Sequence, residues 1–91
     1  VGMTYSLSNL EEVELSFDPF QGNYVKSLPL HHSQVVLEDN EDELRIRLEL
    51  RPNFEFKQVL LGYGDKVKVQ KPKWLAQEIA DIQRKASRQY E

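Results

Sequence analysis

Residues Glu43 to Arg51 read Glu-Leu-Arg-Ile-Arg-Leu-Glu-Leu-Arg, and no other stretch so narrows what this chain can become. Leu44, Ile46, Leu48 and Leu50 alternate with Arg45, Arg47, Glu49 and Arg51. A strand sends successive side chains to opposite faces, whereas a helix repeats every 3.6 residues. The stretch is therefore a strand with one buried and one wet face, near the centre of a one-sided sheet.

The rest of the chain supplies partners for that strand. Val1 to Leu10 shows no period and reads as a loose lead or linker over 1–11, with a single domain over 12–91. Val1-Gly2-Met3 is an unusual start, of the kind left by a cut or a tag in a fragment of a longer protein. Glu12 to Phe17 alternates, with Val13, Leu15 and Phe17 on one side, and predicts a first strand. Asp18-Pro19 is a helix start, Asp as N-cap and Pro at the first position. Phe20, Tyr24 and Leu28 lie at helical spacing, Gly22 shortens the helix, and Pro29 ends it.

His31 to Glu38, with Val35, Val36 and Leu37, predicts a second strand. Glu38-Asp39-Asn40-Glu41-Asp42 is a solvated hairpin tip, because charges this dense prefer water. It lacks the glycine and glutamate spacing of a calcium loop. Asn53 caps a helix over Phe54 to Tyr63, where Phe56, Val59, Leu60 and Tyr63 form a stripe. Gly62 and Gly64 follow where a left-handed residue ends a helix. Lys66 to Gln70 alternates as a fourth strand. Lys71-Pro72-Lys73 opens the longest helix, with Leu75, Ile79, Ile82, Ala86 and Tyr90 as its apolar face and an Asp81–Lys85 pair.

The order β-α-β-β-α-β plus a C-terminal helix predicts an α+β fold, a ferredoxin-like antiparallel sheet with helices on one face. The first and third strands lie in its middle. At 91 residues, with 40% apolar and 30% charged, the chain has the balance of one small globular domain. It contains no cysteine, which excludes disulfides and thiolate chemistry and suits a reducing cytoplasm. No apolar run approaches the length of a membrane span. A net charge of −3 weighs against a domain that grips nucleic acid by itself.

The uncovered sheet face presents Glu14, Ser16, Arg45, Arg47, Glu49, Lys68 and Gln70, with Gln34 or Val36. The plain reading is a solvated face stapled by pairs such as Glu14 with Arg45 or Arg47. The functional reading is an anion or nucleic-acid contact carried by Arg45, Arg47 and Lys68. The central strands lack the outward aromatics of an RNA-recognition sheet, and Gly62-Tyr63-Gly64 is not a phosphate-binding loop. Adjacent His31 and His32 on a strand would face opposite ways, so no metal site is expected. His32 beside Ser33 is poorly placed for proton transfer, so no catalytic residue and no cofactor is assigned. His32 and Gln34 read as a hydrogen-bonded entry to the second strand, and Trp74 as a packing anchor.

Four features occur in order: the strand and Asp-Pro start of Val13 to Pro19, Pro-Leu-His-His-Ser-Gln at Pro29 to Gln34, Leu-Leu-Gly-Tyr-Gly-Asp-Lys-Val-Lys-Val at Leu60 to Val69, and Lys-Pro-Lys-Trp-Leu leading to a helix that ends near Tyr90. Together they resemble the C-terminal extension, or WCX domain, of bacterial WYL-domain transcriptional regulators. The resemblance runs from about Val13 to Tyr90. It implies a ferredoxin-like domain that takes part in dimerisation and effector sensing. His32, Ser33 and Gln34 match the family position and are expected to be structural. The Trp-Tyr-Leu motif and the helix-turn-helix DNA reader of such regulators are not in these residues, so DNA contact would come only through another domain.

The first functional expectation is thus a non-catalytic cytoplasmic module of a transcription regulator, forming a homodimer, with no membrane contact. The alternative is a stand-alone domain binding a nucleotide or single-stranded nucleic acid through the basic sheet face. An acylphosphatase-type hydrolase would need a glycine-bounded anion loop with arginine after the first strand, where Asp18-Pro19-Phe20 stands instead.

Overall fold

The structure is a computed structural model and describes residues 10–91. The lead over Val1 to Asn9 lies outside the described residues. Four strands and three α-helices follow in the order β1 (Glu11–Phe17), α1 (Pro19–Ser27), β2 (Val35–Asp39), β3 (Leu44–Leu50), α2 (Phe54–Gly62), β4 (Val67–Lys71) and α3 (Lys73–Arg88). A short 3-10 turn, Gly64–Lys66, joins α2 to β4. All neighbouring strands are antiparallel, in the order β2-β3-β1-β4, so the first and third strands occupy the middle as expected.

The alternation of β3 becomes burial. Leu44, Ile46, Leu48 and Leu50 are buried, and Val13, Leu15 and Phe17 of β1 stand beside them. Val13 pairs with Leu48, Leu15 with Ile46 and Phe17 with Leu44, so apolar residues meet directly across the central pair. Val25 of α1, Leu60 of α2, and Leu75 and Ile79 of α3 complete the same core. Each large aliphatic side chain so enclosed contributes about 1.5–3 kcal/mol.

Both predicted caps form. The Asp18 carboxylate accepts from the Gln21 amide at 2.8 Å, with Pro19 in the first turn. The Asn53 side chain accepts from the Phe56 amide at 2.9 Å. Gly64 has φ +61°, the left-handed conformation that ends the helical turn. At the hairpin tip Asn40 Oδ1 accepts from the amides of Asp42 and Glu43 at 2.8 and 3.0 Å, turning the acidic run in water.

Helical spacing sets Phe20, Tyr24 and Leu28 on one side of α1, and that side faces outward: they are 65%, 57% and 75% exposed. Gly22 and Val25 face the core instead. A Cβ on Gly22 would lie 2.8 Å from Leu44 Cβ, so only the glycine face lets the helix approach β3 this closely.

The second strand begins at Val35 rather than His31, because residues 31–34 form a turn. Its register puts Val35 opposite Arg47 and Val36 opposite Ile46, with an irregularity before Glu38. Val35, not Gln34 or Val36, therefore shares the open face.

The apolar stripe of α3 is buried only at Leu75 and Ile79, while Asp81 to Glu91 are exposed and Tyr90 is 92% exposed. Sixteen helical residues span about 24 Å, whereas the five-residue strand before them spans about 17 Å. The helix outruns the strand it packs on. Asp81 pairs with Arg84, not Lys85. Trp74 is half exposed, with the Lys57 ammonium 5.9 Å from its ring centroid and Lys57 bonded to Glu78 at 2.6 Å. It covers the α2–α3 seam from outside rather than anchoring the core.

Candidate functional site

The open face is organised by the strand register. Glu38, Arg45, Ser16 and Lys68 form one row across all four strands, and Val35, Arg47, Glu14 and Lys71 form the next. The structure thus brings two of the three cations named from sequence, Arg45 and Lys68, to either side of Ser16, and sets Arg47 in the adjoining row.

The expected Glu14–arginine staple does not form. Glu14 lies opposite Arg47 but bonds Lys71 Nζ at 3.4 Å. Arg45 turns along its own strand to Glu43, its Nη2 donating to Oε2 at 3.2 Å. The other Glu43 oxygen accepts the Ser16 hydroxyl proton at 2.6 Å. These contacts hold the Glu43 carboxyl below its ordinary pKa. The Ser16 hydrogen bond is the largest cause, and the charge and hydrogen bond of Arg45 and the charge of Lys68 assist, against some desolvation. Arg45 Nε is buried with no hydrogen-bond partner. Among the described residues, Arg47 and Lys68 enter no ion pair.

Glu43 was not singled out from sequence as a site residue. The signal was there: it stands two positions before Arg45, so both side chains leave the same face of the strand. Its bond to Ser16, 27 positions away, required the register of β1 on β3.

The second polar cluster is the turn Leu30 to Gln34. Gln34 spans it, its Oε1 accepting from the Leu30 amide at 3.0 Å and its Nε2 donating to the Val25 carbonyl at 3.1 Å. Ser33 Oγ accepts from the Glu49 amide at 2.9 Å and lies 3.2 Å from the Glu49 carbonyl. His31, rather than His32, completes the lock. Its Nδ1 is 2.7 Å from Ser33 Oγ and accepts from the Ser33 amide at 3.2 Å. Ser33 and Gln34 thus both bond across the turn, while His32 is exposed and stacks on His31 with ring centroids 4.1 Å apart.

Because this segment is a turn and not a strand, the two imidazoles lie together instead of facing opposite ways. No group of three or more His, Asp or Glu side chains suited to a metal occurs among the described residues. The Ser33 hydroxyl accepts the Glu49 amide proton, and His31 Nδ1 accepts that of Ser33. Those atoms hold the turn against β3.

Beside this turn lies a groove of about 640 Å³ lined by Leu30, His31, Leu50, Arg51, Phe56 and Val59, among others. Among the described residues no helix is long and apolar enough to cross a membrane.

Comparison with curated protein sequences finds no match. The model of the WCX domain family matches residues 9–87, nearly the whole chain and every strand and helix but the final residue of α3. The sheet, its helical cover and the turn carrying Ser33 and Gln34 all fall inside that match, and the chain belongs to the WCX domain family.

Proposed function

We propose that this chain is the non-catalytic regulatory and dimerisation domain of a WYL-type bacterial transcriptional regulator, acting in the cytoplasm and contributing to effector sensing. The observation that carries this reading is the family match over residues 9–87. The order β2-β3-β1-β4, with α1 and α2 as the connections of a β-α-β-β-α-β chain, supports describing the domain as ferredoxin-like. A dimer is supported by the solvent-facing stripe of Phe20, Tyr24 and Leu28, three large apolar side chains exposed on one side of the domain. DNA would be read by another domain of the regulator.

The test is the mass of the chain in solution across a concentration series, by light scattering coupled to size exclusion. A dimer supports the reading, and a strict monomer at the highest concentration removes dimerisation from it.

A second reading is favoured by one observation: Arg47 and Lys68 stand on the open face outside any ion pair among the described residues. On this reading the face takes a nucleotide or single-stranded nucleic acid through Arg45, Arg47 and Lys68. Titration with a short oligonucleotide at two salt concentrations tests it, because phosphate contacts weaken steeply with salt. Absence of binding at low salt removes it.

A further inference from the structure

The row Arg45, Ser16, Lys68 sets a cation, a hydroxyl and a cation side by side on three adjacent strands. The group seated on it is not a ligand but the Glu43 carboxylate. One oxygen takes the Ser16 hydroxyl and the other the Arg45 guanidinium, at 2.6 and 3.2 Å. Carboxylate and phosphate oxygens are interchangeable in such contacts, since both accept charge-assisted bonds from a guanidinium fork. Arg45 also has a donor to spare, because its Nε is buried without a partner beside the Nη2 that holds Glu43.

We propose that Glu43 is a resident anion in an oxyanion site built by Arg45, Ser16 and Lys68, and that a phosphate group occupies this site when the carboxylate swings away. The inference rests on the second reading of the open face and adds to it a built-in competitor. Charge on the row explains why the competitor matters. Glu38 faces Arg45 from β2, so with Glu43 in place two carboxylates balance Arg45 and Lys68. With Glu43 turned out, the row carries one net positive charge and a free hydroxyl.

Glu43 stands at the edge of the sheet, its side chain 24% exposed. It is the last residue of the hairpin tip, before β3 begins at Leu44, and follows the exposed Glu41 and Asp42. Arg47, one row away and outside any ion pair among the described residues, is positioned for a second phosphate. A single phosphate monoester would use the Arg45 row alone, whereas a phosphodiester chain would engage Arg47 as well.

The experiment compares the wild-type chain with Glu43→Gln and Glu43→Ala, with circular dichroism confirming that each is folded. The probes are thymidine monophosphate and an oligothymidylate of about eight residues, at low and moderate salt. Removing one negative charge in contact with the site is expected to tighten binding of either probe by about tenfold. Arg45→Gln in the Glu43→Gln background abolishes the gain. If Arg47→Gln weakens only the oligonucleotide, the ligand is a chain; if it changes neither, it is a single phosphate.

Equal affinity of wild type and both folded Glu43 variants overturns the competitor. The open-face reading would still stand if Arg45→Gln weakened that binding. No binding of either probe to any variant at low salt overturns both.

Discussion

A Cβ placed on Gly22 would lie 2.8 Å from the Cβ of Leu44, a fully buried residue on the central strand β3. This contact sets how closely α1 approaches the sheet. In an isolated helix Gly22→Ala would be favourable by about 1 kcal/mol. Here the added methyl meets a buried side chain beside the strand backbone, and overpacking costs about 1–3 kcal/mol. Gly22→Ala is therefore expected to lower stability, read as a reduced urea midpoint, whereas an increase would show that α1 can lift off Leu44 freely.

The turn before β2 offers a sharper contrast between neighbours. Ser33 accepts the Glu49 amide and contacts His31, while His32 is exposed. Ser33→Ala leaves a strand amide without its partner and should cost about 1 kcal/mol. His32→Ala should stay within about 0.5 kcal/mol of wild type, as surface changes do. Thermal melts of the two variants check the order, which would be reversed if His32 were the structural histidine.

Acid should reveal the Glu43 contact. Its carboxyl is held below the ordinary value of 4.5, first by the Ser16 hydroxyl and then by Arg45 and Lys68, against desolvation. A carboxyl with a lower pKa folded than unfolded binds fewer protons in the native state. Its stabilising contribution is thus complete above 4.5 and is lost as pH falls through the folded value. Glu43→Gln should remove that part of the acid sensitivity, so the gap between wild type and variant narrows as pH falls below 4.5. Parallel stability curves over that range would contradict the assignment.

Association should depend on the outer face of α1. The Phe20 and Tyr24 rings meet edge to face at 5.6 Å, in solvent, away from the core. If this stripe carries the proposed dimer, Phe20→Ser with Tyr24→Ser weakens self-association by at least about tenfold, while folding stability changes by less than about 0.5 kcal/mol. Sedimentation equilibrium reads the first quantity and denaturant melts the second. Unchanged association would place the interface elsewhere.

The residues that could be read in advance were those whose role is set by their own neighbours. Asp18 and Asn53 cap helices because a short side-chain acceptor reaches an amide three positions on, whatever the rest of the chain does. Leu44 to Leu50 had to bury one face because alternation leaves no other solution. The open-face cations followed from the same alternation. Glu43 on Ser16 did not, because that bond crosses two strands whose register is set by apolar pairs such as Leu15 with Ile46.

Where the sequence left two local patterns open, packing chose between them. The chain over Pro19–Ser27 offers an aromatic stripe and a small-residue face, and hydrophobicity alone favours the stripe. Close approach to Leu44 selected Gly22 and Val25 instead. His31 to Gln34 has the look of a strand entry, yet side chains that bond Val25, Leu30 and Glu49 bend it into a turn. Local order along the chain determined which segments are strands and helices, and which side of β3 is wet. Tertiary contact alone decided which face of α1 goes inward and which anion sits on Arg45, because steric fit and hydrogen-bond partnership exist only between segments already brought together.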